Sequence, residues 1–290
     1  MLYQSIRIQI AIITKLINNT KFKIDKGDHL LDTHTHILWN IDDGSKNQCM
    51  SLQMLEIAAR SGTKAIFATP HVIERANKPS WEEIKEKTQQ LRQLCAEAQI
   101  DIMLYPGAEV QMNWELLPEL GAAGAYCLNG GRYLLVELPA AEIPAYADEF
   151  WYELELKGIT PILAHPERYQ QLRENPDLLL LWRRRGMLMQ CNSGSFTGMF
   201  GSSVCENAKV LLANGLVDLL GSDGHRSEGR NTDMSRAAAV IRQLAGEEVL
   251  RQLTETNPQA ILKNQAIELK QPKVFLEDKP KSFWQKLFGK

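Results

Sequence analysis

The sequence predicts a single α/β domain in which a parallel sheet closes, or nearly closes, into a barrel wrapped by helices. Short apolar runs typical of buried strands alternate with longer stretches of helical periodicity, and this alternation repeats seven times. Strands and helices are not grouped into separate blocks along the chain. This favours one β/α barrel, with an open doubly wound sheet as the alternative.

Seven apolar segments of five or six residues are predicted as strands. They carry few charged side chains, as strands covered on both faces do. In chain order they are residues 29–34, 64–69, 101–105, 133–138, 159–164, 187–191 and 216–221.

The stretches between the strands carry helix start and stop signals. Ser45 is the predicted N-cap of a helix over 46–60. Ser80 and Glu83 form a capping box at the start of a helix over 81–98. The other predicted helices span 145–157, 176–185, 203–214, 233–244 and 247–263.

Composition excludes several classes of protein. The 290 residues are 44% hydrophobic, with 33 basic against 35 acidic side chains, which excludes a disordered tail, a collagen-like fibre and a disulfide-stapled mini-domain. The balanced charge also argues against nucleic-acid binding. Five cysteines without a C-x-x-C pair indicate free thiols in a reducing compartment. The apolar run 5–18 contains Arg7 and Lys15 and is too short to span a bilayer, so we expect a cytoplasmic protein.

Histidines and carboxylates stand at the carboxyl ends of six of the seven predicted strands. Only the sixth strand, which ends in Gln190, lacks an obvious ligand. Alternate residues of a strand face the same side, so Asp32, His34 and His36 point together. The remaining strand-end residues are His71, Glu109, Glu137, His165, Asp223 and His225, and Asp43 follows a few residues after the first strand in Asp42-Asp43-Gly44.

This distribution indicates a metal centre, because the carboxyl ends of barrel strands converge on one face. Five imidazoles and at least four carboxylates in one cavity require cations to offset their repulsion and desolvation. Nitrogen and oxygen ligands without thiolate suit two or three divalent ions such as Mn, Zn or Fe. Two such ions stabilise the attacking and leaving oxygens of an in-line displacement and lower the pKa of a bridging water.

Each residue taken alone also has a structural explanation. A single strand-end histidine is more often a hydrogen-bonded core residue, and Asp-Asp-Gly is usually a plain turn. Glu137 alone fits a surface charge on an edge strand, and His29 lies at the wrong end of its strand. The joint pattern favours the metal centre.

Two arginines near these histidines are candidate anion clamps. Arg168 follows His165 by three residues, and Arg230 follows His225 by five. Guanidinium groups bind phosphate oxygens in a bidentate manner and keep their charge. The run 183–185 is interpreted as a solvated helix face.

The motifs DTHTHILWNIDDGSKN, ATPHV, LYPGAEV, LLVELP, PILAHPERY and GSDGH followed by Arg230 resemble the PHP (polymerase and histidinol phosphatase) superfamily. More narrowly, they resemble the metal-dependent protein-tyrosine phosphatases of bacterial capsule and exopolysaccharide operons. The resemblance covers about residues 30–265 and implies a distorted (β/α)₇ TIM-like barrel with three metal ions, often manganese. Together with the ligand chemistry, this predicts two to three divalent ions, first of all Mn²⁺, with Fe or Zn as alternatives. The implied ligands are His34, His36, Asp43, His71, Glu109, Glu137, His165, Asp223 and His225.

The resemblance also implies a chemistry. A metal-bridged hydroxide attacks phosphorus while Arg168 and Arg230 hold the phosphate, and a metal ion or His225 assists the leaving group. The implied substrate is phosphotyrosine on a membrane tyrosine autokinase that regulates polysaccharide export. A cysteine-based route is excluded, because none of the five cysteines has an arginine six residues later. The family usually has Pro and Gly where this chain has Trp39 and Asn40, which changes the lip of the site.

Three alternatives remain. A PHP phosphatase acting on a small ester such as histidinol phosphate would use the same ligands. An amidohydrolase barrel also opens with H-x-H, but the fourth strand here ends in Glu137 rather than near a bridging lysine. A non-catalytic metal-binding PHP module would tend to lose ligands, whereas this set is complete.

The expected boundaries are an N-terminal extension over 1–28, the phosphatase barrel over 29–265, and a basic and aromatic tail over 266–290. In the tail, apolar residues share one helical face within 281–290 and lysines flank them. That segment is a candidate contact with an anionic membrane surface or a partner, with docking on its own barrel as the alternative. Self-association is also compatible with the sequence.

Overall fold

The computed structural model describes residues 29–121 and 124–269. The predicted extension 1–28 and the segment 281–290 therefore lie outside the described residues. Across the part that is described, no helix combines the length and the apolar character needed to cross a membrane.

In the described ranges 29–121 and 124–269, nine strand segments, all paired in parallel, form the central sheets. One sheet has the order β1-β2-β4 and the other has the order β3-β5-β6-β7-β8-β9. The segments are β1 Leu30–Thr35, β2 Thr63–Ala68, β3 His71–Val72, β4 Met103–Pro106, β5 Glu109–Gln111, β6 Tyr133–Glu137, β7 Thr160–Ala164, β8 Leu188–Asn192 and β9 Leu219–Gly221. All seven predicted strands are thereby confirmed, with bounds that differ by at most three residues.

Two short breaks divide the sheets without ending the hydrogen-bonded ladder. Pro70, which has no N–H, separates β2 from β3, and Gly107 lies between β4 and β5. The Gly107 N–H still donates to the Ala68 carbonyl at 2.9 Å, and the Glu109 N–H donates to the Pro70 carbonyl at 3.0 Å. The backbone pairing therefore runs from one sheet into the next.

The outer strands β1 and β9 meet each other. The Asp223 N–H donates to the His34 carbonyl at 2.7 Å, and the His36 N–H donates to the Gly224 carbonyl at 2.9 Å. The buried Asp32 carboxylate adds a side-chain link by accepting from the Ser222 N–H at 2.8 Å. The parallel sheet is therefore strongly curled, as the predicted α/β barrel requires. The open doubly wound alternative does not match this contact.

Helices cover the outside of the curled sheet. They are α1 Gln48–Arg60, α2 Trp81–Glu97, α3 Ala147–Leu156, α4 Gln170–Glu174, α5 Asp177–Arg184, α6 Ser193–Phe196, α7 Ser202–Ala213, α8 Ser235–Ala245, α9 Glu247–Arg251 and α10 Asn257–Leu262. A π-helical segment, Gln252–Thr256, joins α9 to α10, so the predicted helix 247–263 is one helical run with a local widening.

The cap of α2 is confirmed, but the predicted cap of α1 is wrong. Ser80 Oγ accepts from the Glu83 N–H at 3.1 Å, as the capping box requires. In α1 the N-cap is Asn47, whose side chain accepts from the Met50 N–H at 2.9 Å. Ser45 instead closes the preceding loop, because its N–H donates to the His36 carbonyl at 3.0 Å.

The interpretation of 183–185 as a solvated face is wrong for Arg183, which is buried at the end of α5. Its Nη2 lies 2.8 Å from Asp218 Oδ1, and Nη1 donates to the other carboxylate oxygen. The Met189 N–H donates to the same carboxylate at 2.8 Å. Of the three arginines, only Arg184 and Arg185 are exposed, as the interpretation of a solvated face predicts.

Candidate metal centre

The predicted ligand residues converge at the carboxyl ends of the strands. Eight of them fall into three groups in which one ligand atom per residue lies within 4.8 Å of the others. The ninth, His165, places Nε2 at 2.9 Å from Glu109 Oε1. The groups are His34, His36 and Asp223; His71, Glu109 and Glu137; and His36, Asp43, His71 and His225.

The deepest group frames a position of tetrahedral size. The Nε2 atoms of His34 and His36 are 3.1 Å apart. Glu109 Oε2 lies 3.1 and 3.3 Å from these two atoms, and Asp223 Oδ1 lies 3.5 and 3.4 Å from them. Ligands held at about 2.0–2.2 Å from a tetrahedral ion are about 3.3–3.6 Å from one another. His34, His36 and Asp223 therefore suit one small divalent ion, and Glu109 Oε2 lies at ligand spacing from the two histidine nitrogens.

The hydrogen bonds on the far side of each ring orient these histidines. His34 Nδ1 contacts Gln190 Oε1 at 2.9 Å, and His36 Nδ1 contacts Asp42 Oδ2 at 2.7 Å. Both acceptors are oxygens, so each ring carries its proton on Nδ1. Both Nε2 lone pairs then point at the same place, which is the arrangement of metal-binding histidines with outer hydrogen-bond partners.

Sequence reasoning missed Asp42 and Gln190 as the partners that orient these rings. Asp42 lies in the Asp-Asp-Gly turn, where only Asp43 was selected as a ligand. Gln190 ends the one strand that lacked an obvious ligand. The role of Gln190 could have been predicted, because an amide at the end of a buried strand needs hydrogen-bond partners and the candidate ligands lie at the same edge of the sheet. The choice between Asp42 and Asp43 depends on the turn geometry.

Two buried carboxylate oxygens support the fit of a cation. Within the described residues, Glu109 Oε2 and Asp223 Oδ1 have no hydrogen-bond partner. A buried acceptor without a partner costs about 1–3 kcal/mol, and more when it is charged. Nitrogen and carboxylate donors without thiolate suit Mn²⁺, Fe²⁺ or Zn²⁺. The residues present therefore fit divalent ions at this position.

The other two groups lie nearer the surface and share His71. His71 Nδ1 is 3.0 Å from Glu109 Oε2 and 3.4 Å from Glu137 Oε1. Its Nε2 is 3.7 Å from Asp43 Oδ1, and His225 Nε2 is 3.4 Å from the same oxygen. The Asp43 side chain is 66% exposed, so this part of the centre opens to solvent.

The pKa pattern shows how strongly the charges interact. Burial favours a neutral Glu109, yet the imidazole of His34 and its neighbours hold the Glu109 pKa well below its ordinary value. Burial and the charge of Glu109 raise the pKa of Glu137. Burial and a neighbouring imidazole lower the pKa of His225 to about 4. His225 is therefore neutral at pH 7, as a ligand must be.

Two site residues adopt left-handed backbone conformations at strand ends. His165 has φ 36°, and Asp223 has φ 52°. Such values are uncommon outside glycine and persist where the surroundings impose them. The His165 N–H donates to the Gln190 carbonyl at 2.7 Å, and the Asp223 N–H is fixed by β1. The sheet thus turns both side chains into the centre.

The predicted anion clamps stand at the mouth of the centre. Arg168 Nη1 lies 3.3 Å from Asp223 Oδ2, and Arg230 Nη2 donates to the same oxygen. Asn192 Nδ2 also donates to this oxygen, at 2.5 Å. The two oxygens of the Asp223 carboxylate therefore have different partners: Oδ1 faces the histidines and Oδ2 faces the guanidiniums. The side chains of Arg168 and Arg230 are each about one-third exposed.

The curled parallel sheet and this centre define an α/β protein with a candidate polynuclear metal site at the carboxyl edge of its strands. The sequence matches the family model for capsular polysaccharide synthesis, CpsB/CapC, over residues 30–263. The chain belongs to this family, and the family predicted from the motifs is confirmed.

Relatives and a solved structure agree with this assignment. The chain is similar to tyrosine-protein phosphatase YwqE of Bacillus subtilis, with 34% identity over 238 residues, covering 82% of this chain and 93% of the relative. It is 28% identical to tyrosine-protein phosphatase CpsB of Streptococcus pneumoniae, covering 82% of this chain and all of the relative. A crystal structure from work on YwqE and CpsB, described as unique metal-dependent tyrosine phosphatases, matches with a TM-score of 0.79 and 33% identity. That match covers 84% of this chain and 98% of the solved one.

Proposed function

We propose that this chain is a metal-dependent phosphoric monoester hydrolase that removes phosphate from tyrosine residues of proteins and acts in capsular polysaccharide synthesis. The observation that carries the proposal is that the Asp223 carboxylate contacts the histidines of the centre through Oδ1 and the two guanidiniums through Oδ2. Family membership and the names of the relatives support the same activity.

We further propose the metal ligands and the barrel count. The nine predicted ligands would hold two to three divalent ions, with Mn²⁺ as the first expectation. Counting β2 with β3 and β4 with β5 as single interrupted strands gives a seven-stranded barrel, supported by the backbone bonds that cross each break. We take residues 29–265 as the catalytic unit.

Bound divalent ions would supply a water of lowered pKa and would neutralise phosphate charge. The chain's own contribution is positioning. Arg168 and Arg230 present N–H groups at the mouth, where they can take two phosphate oxygens while Asp223 stays oriented by Asn192. A tyrosyl leaving group has a pKa of about 10, so it needs little protonation. The neutral state of His225 and its contact with Asp43 favour a ligand role over that of a general acid.

The proposed substrate is a phosphotyrosine-bearing protein, with the tail of a membrane tyrosine autokinase as the expected example. We expect the reaction to occur in the cytoplasm, which is supported by five cysteines that form no disulfide. Sedimentation velocity would measure the self-association that the sequence allows.

A substrate panel tests the activity. The Mn²⁺-loaded protein should hydrolyse a phosphotyrosyl peptide faster than a phosphoseryl peptide or histidinol phosphate. Excess EDTA should abolish turnover, and added Mn²⁺ should restore it. Faster turnover of histidinol phosphate would instead establish a small-molecule phosphatase, and full activity in EDTA would refute the metal requirement.

Thiol alkylation supplies the second arm of this test. Burial raises the pKa of Cys127 to about 11 and also raises the pKa values of Cys95 and Cys191, so these thiols stay protonated at neutral pH. Cys49 is exposed and should be the first to react. Activity should survive its alkylation, and loss of turnover would indicate a thiol in the reaction.

A further inference from the structure

One aromatic ring contacts both candidate phosphate-binding arginines. Phe200 lies in the loop between α6 and α7 and is half-buried. The guanidinium carbon of Arg168 is 4.8 Å from the centre of this ring, and that of Arg230 is 5.5 Å from it. Both distances fall within the range of an attractive cation–π contact.

The Phe200 ring restricts a rotation of the Arg168 and Arg230 side chains that a single shared hydrogen-bond acceptor does not restrict. Arg168 and Arg230 share Asp223 Oδ2 as a hydrogen-bond acceptor. One point contact leaves a long side chain free to rotate about it, and arginine loses considerable rotamer entropy when it is held. A second contact over the Phe200 ring restricts where each guanidinium can lie, and the orientation of a guanidinium decides which phosphate geometry it can bind in a bidentate manner.

Phe200 is itself held by the short helix that precedes it. A Cβ built on Gly194 would lie 3.1 Å from Phe200 Cε2 and 2.9 Å from Met199 Sδ, so glycine permits this close packing. The Met199 N–H donates to the Gly194 carbonyl at 3.0 Å. The helix starts directly after Asn192, which also donates to Asp223. The ring and the shared carboxylate are therefore fixed by the same segment.

We propose that Phe200 is a positioning residue that holds the guanidiniums of Arg168 and Arg230 in the orientation needed to bind phosphate. The proposal rests on the proposed function, because it gives the two arginines a phosphate to bind. It assigns no chemical step to Phe200.

The test compares Phe200→Leu with Phe200→Tyr. Leucine keeps an apolar side chain but removes the ring, whereas tyrosine keeps the ring face. Met199→Leu is the matched control, since Met199 is the exposed neighbour of Phe200 in the same loop. Binding of inorganic phosphate to the Mn²⁺-loaded proteins is measured by titration calorimetry, with metal content and thermal unfolding measured on the same samples.

We expect Phe200→Leu to bind phosphate about tenfold more weakly, which is the effect of losing about 1.4 kcal/mol of combined cation–π attraction. Phe200→Tyr and Met199→Leu should bind phosphate as the unaltered protein does, and all variants should keep the same metal content. In an Arg230→Ala background the Phe200→Leu effect should shrink, because one of its two partners is already absent.

Equal phosphate affinity in Phe200→Leu and the unaltered protein would overturn the proposal, as would an unaltered protein that binds no phosphate. Weak binding in both Phe200→Leu and Phe200→Tyr would also overturn it, because a structural role alone would then suffice. Failure of the proposed function gives a different result: Phe200-dependent phosphate binding persists while the phosphotyrosyl peptide is not hydrolysed.

Discussion

Asp42 shows at the scale of single residues how a side chain outside the predicted ligand set can control the centre. Its Oδ2 accepts from His36 Nδ1 at 2.7 Å and from the His71 N–H at 3.0 Å. Its Oδ1 accepts from the Gly44 N–H at 2.9 Å. One carboxylate thus orients one candidate ligand ring and fixes the backbone of another.

We predict that Asp42→Asn weakens metal binding about 10–100-fold, the usual cost of losing an outer hydrogen bond to a ligand histidine. Both Asp42 oxygens accept from N–H groups, so the –NH₂ group of asparagine must face at least one N–H donor and cannot bond to it. Mn²⁺ titration of chelator-stripped protein measures the affinity. Asp101→Asn is the control, because Asp101 is exposed and pairs with Lys64. Unchanged affinity in Asp42→Asn would show that Asp42 does not orient the centre.

Arg230 tests the separation between metal binding and phosphate binding. We predict that Arg230→Ala lowers kcat for the phosphotyrosyl peptide at least about 100-fold, as the loss of a preorganised charge-stabilising donor does. Metal content should remain, because Asn192 and Arg168 still bind Asp223 Oδ2. Elemental analysis and steady-state kinetics measure both effects, with the exposed Arg236→Ala as control. A fall in metal content would show that Arg230 maintains the ligand set itself.

At the scale of elements, the pair between Arg183 on α5 and Asp218 joins a helix to two strands at the end of the sheet away from the metal centre. Asp218 directly precedes β9, and its carboxylate accepts from the Met189 N–H in β8. Arg183 Nη2 also donates to the Gly215 carbonyl at 3.2 Å. The pair therefore fixes where β9 begins.

We predict that Arg183→Leu lowers the free energy of unfolding by about 3 kcal/mol, because the buried Asp218 carboxylate loses its positive partner. The adjacent and exposed Arg184→Leu should change it by less than about 0.5 kcal/mol. Urea unfolding followed by circular dichroism measures both variants. Turnover per folded molecule should stay constant, since the pair lies at the opposite end of the strands. Equal free energies of unfolding for Arg183→Leu and Arg184→Leu would show that the pair between Arg183 and Asp218 does not stabilise the fold.

The whole molecule concentrates buried carboxylates and imidazoles at one end of its sheet. Glu109 and Asp223 lie within a few ångströms of His34 and His36 in a region where water does not screen them. Ions that bind only the folded chain add stability by mass action. The centre should therefore be a stability element as well as a reactive one.

We predict that saturating Mn²⁺ raises the Tm of chelator-stripped protein by about 10 °C. Metal at about 1,000 times its Kd adds about 4 kcal/mol, and each kcal/mol moves the Tm of a domain of this size by about 2–4 °C. Differential scanning calorimetry at matched ionic strength measures the shift, with Mg²⁺ as a comparison ion. A Tm that does not respond to Mn²⁺ would mean that the folded state gains no binding energy from it.

Much of the site was predictable because its residues follow a positional rule. Apart from Asp43, which lies in a turn, the candidate ligands come at or just after the end of an apolar run, and parallel strands bring their carboxyl ends to one edge. The contacts of Asp42, Gln190 and Phe200 were not predictable in this way. They depend on ring orientation and on a loop conformation, which follow from packing between segments far apart in sequence. The burial of Arg183 was hidden for the same reason, since its partner Asp218 is 35 residues away.

The sequence by itself determined the order of strands and helices along the chain, the candidate ligand residues and the family, because these follow from local periodicity and from motifs of fixed spacing. Only the tertiary structure decided which oxygen of Asp223 faces the histidines and which faces the arginines. It also decided that one phenylalanine contacts both guanidiniums. The first detail is set by backbone dihedrals and close packing at the junction of β1 and β9, where residues 190 positions apart share a hydrogen bond, and the second is set by the loop between α6 and α7.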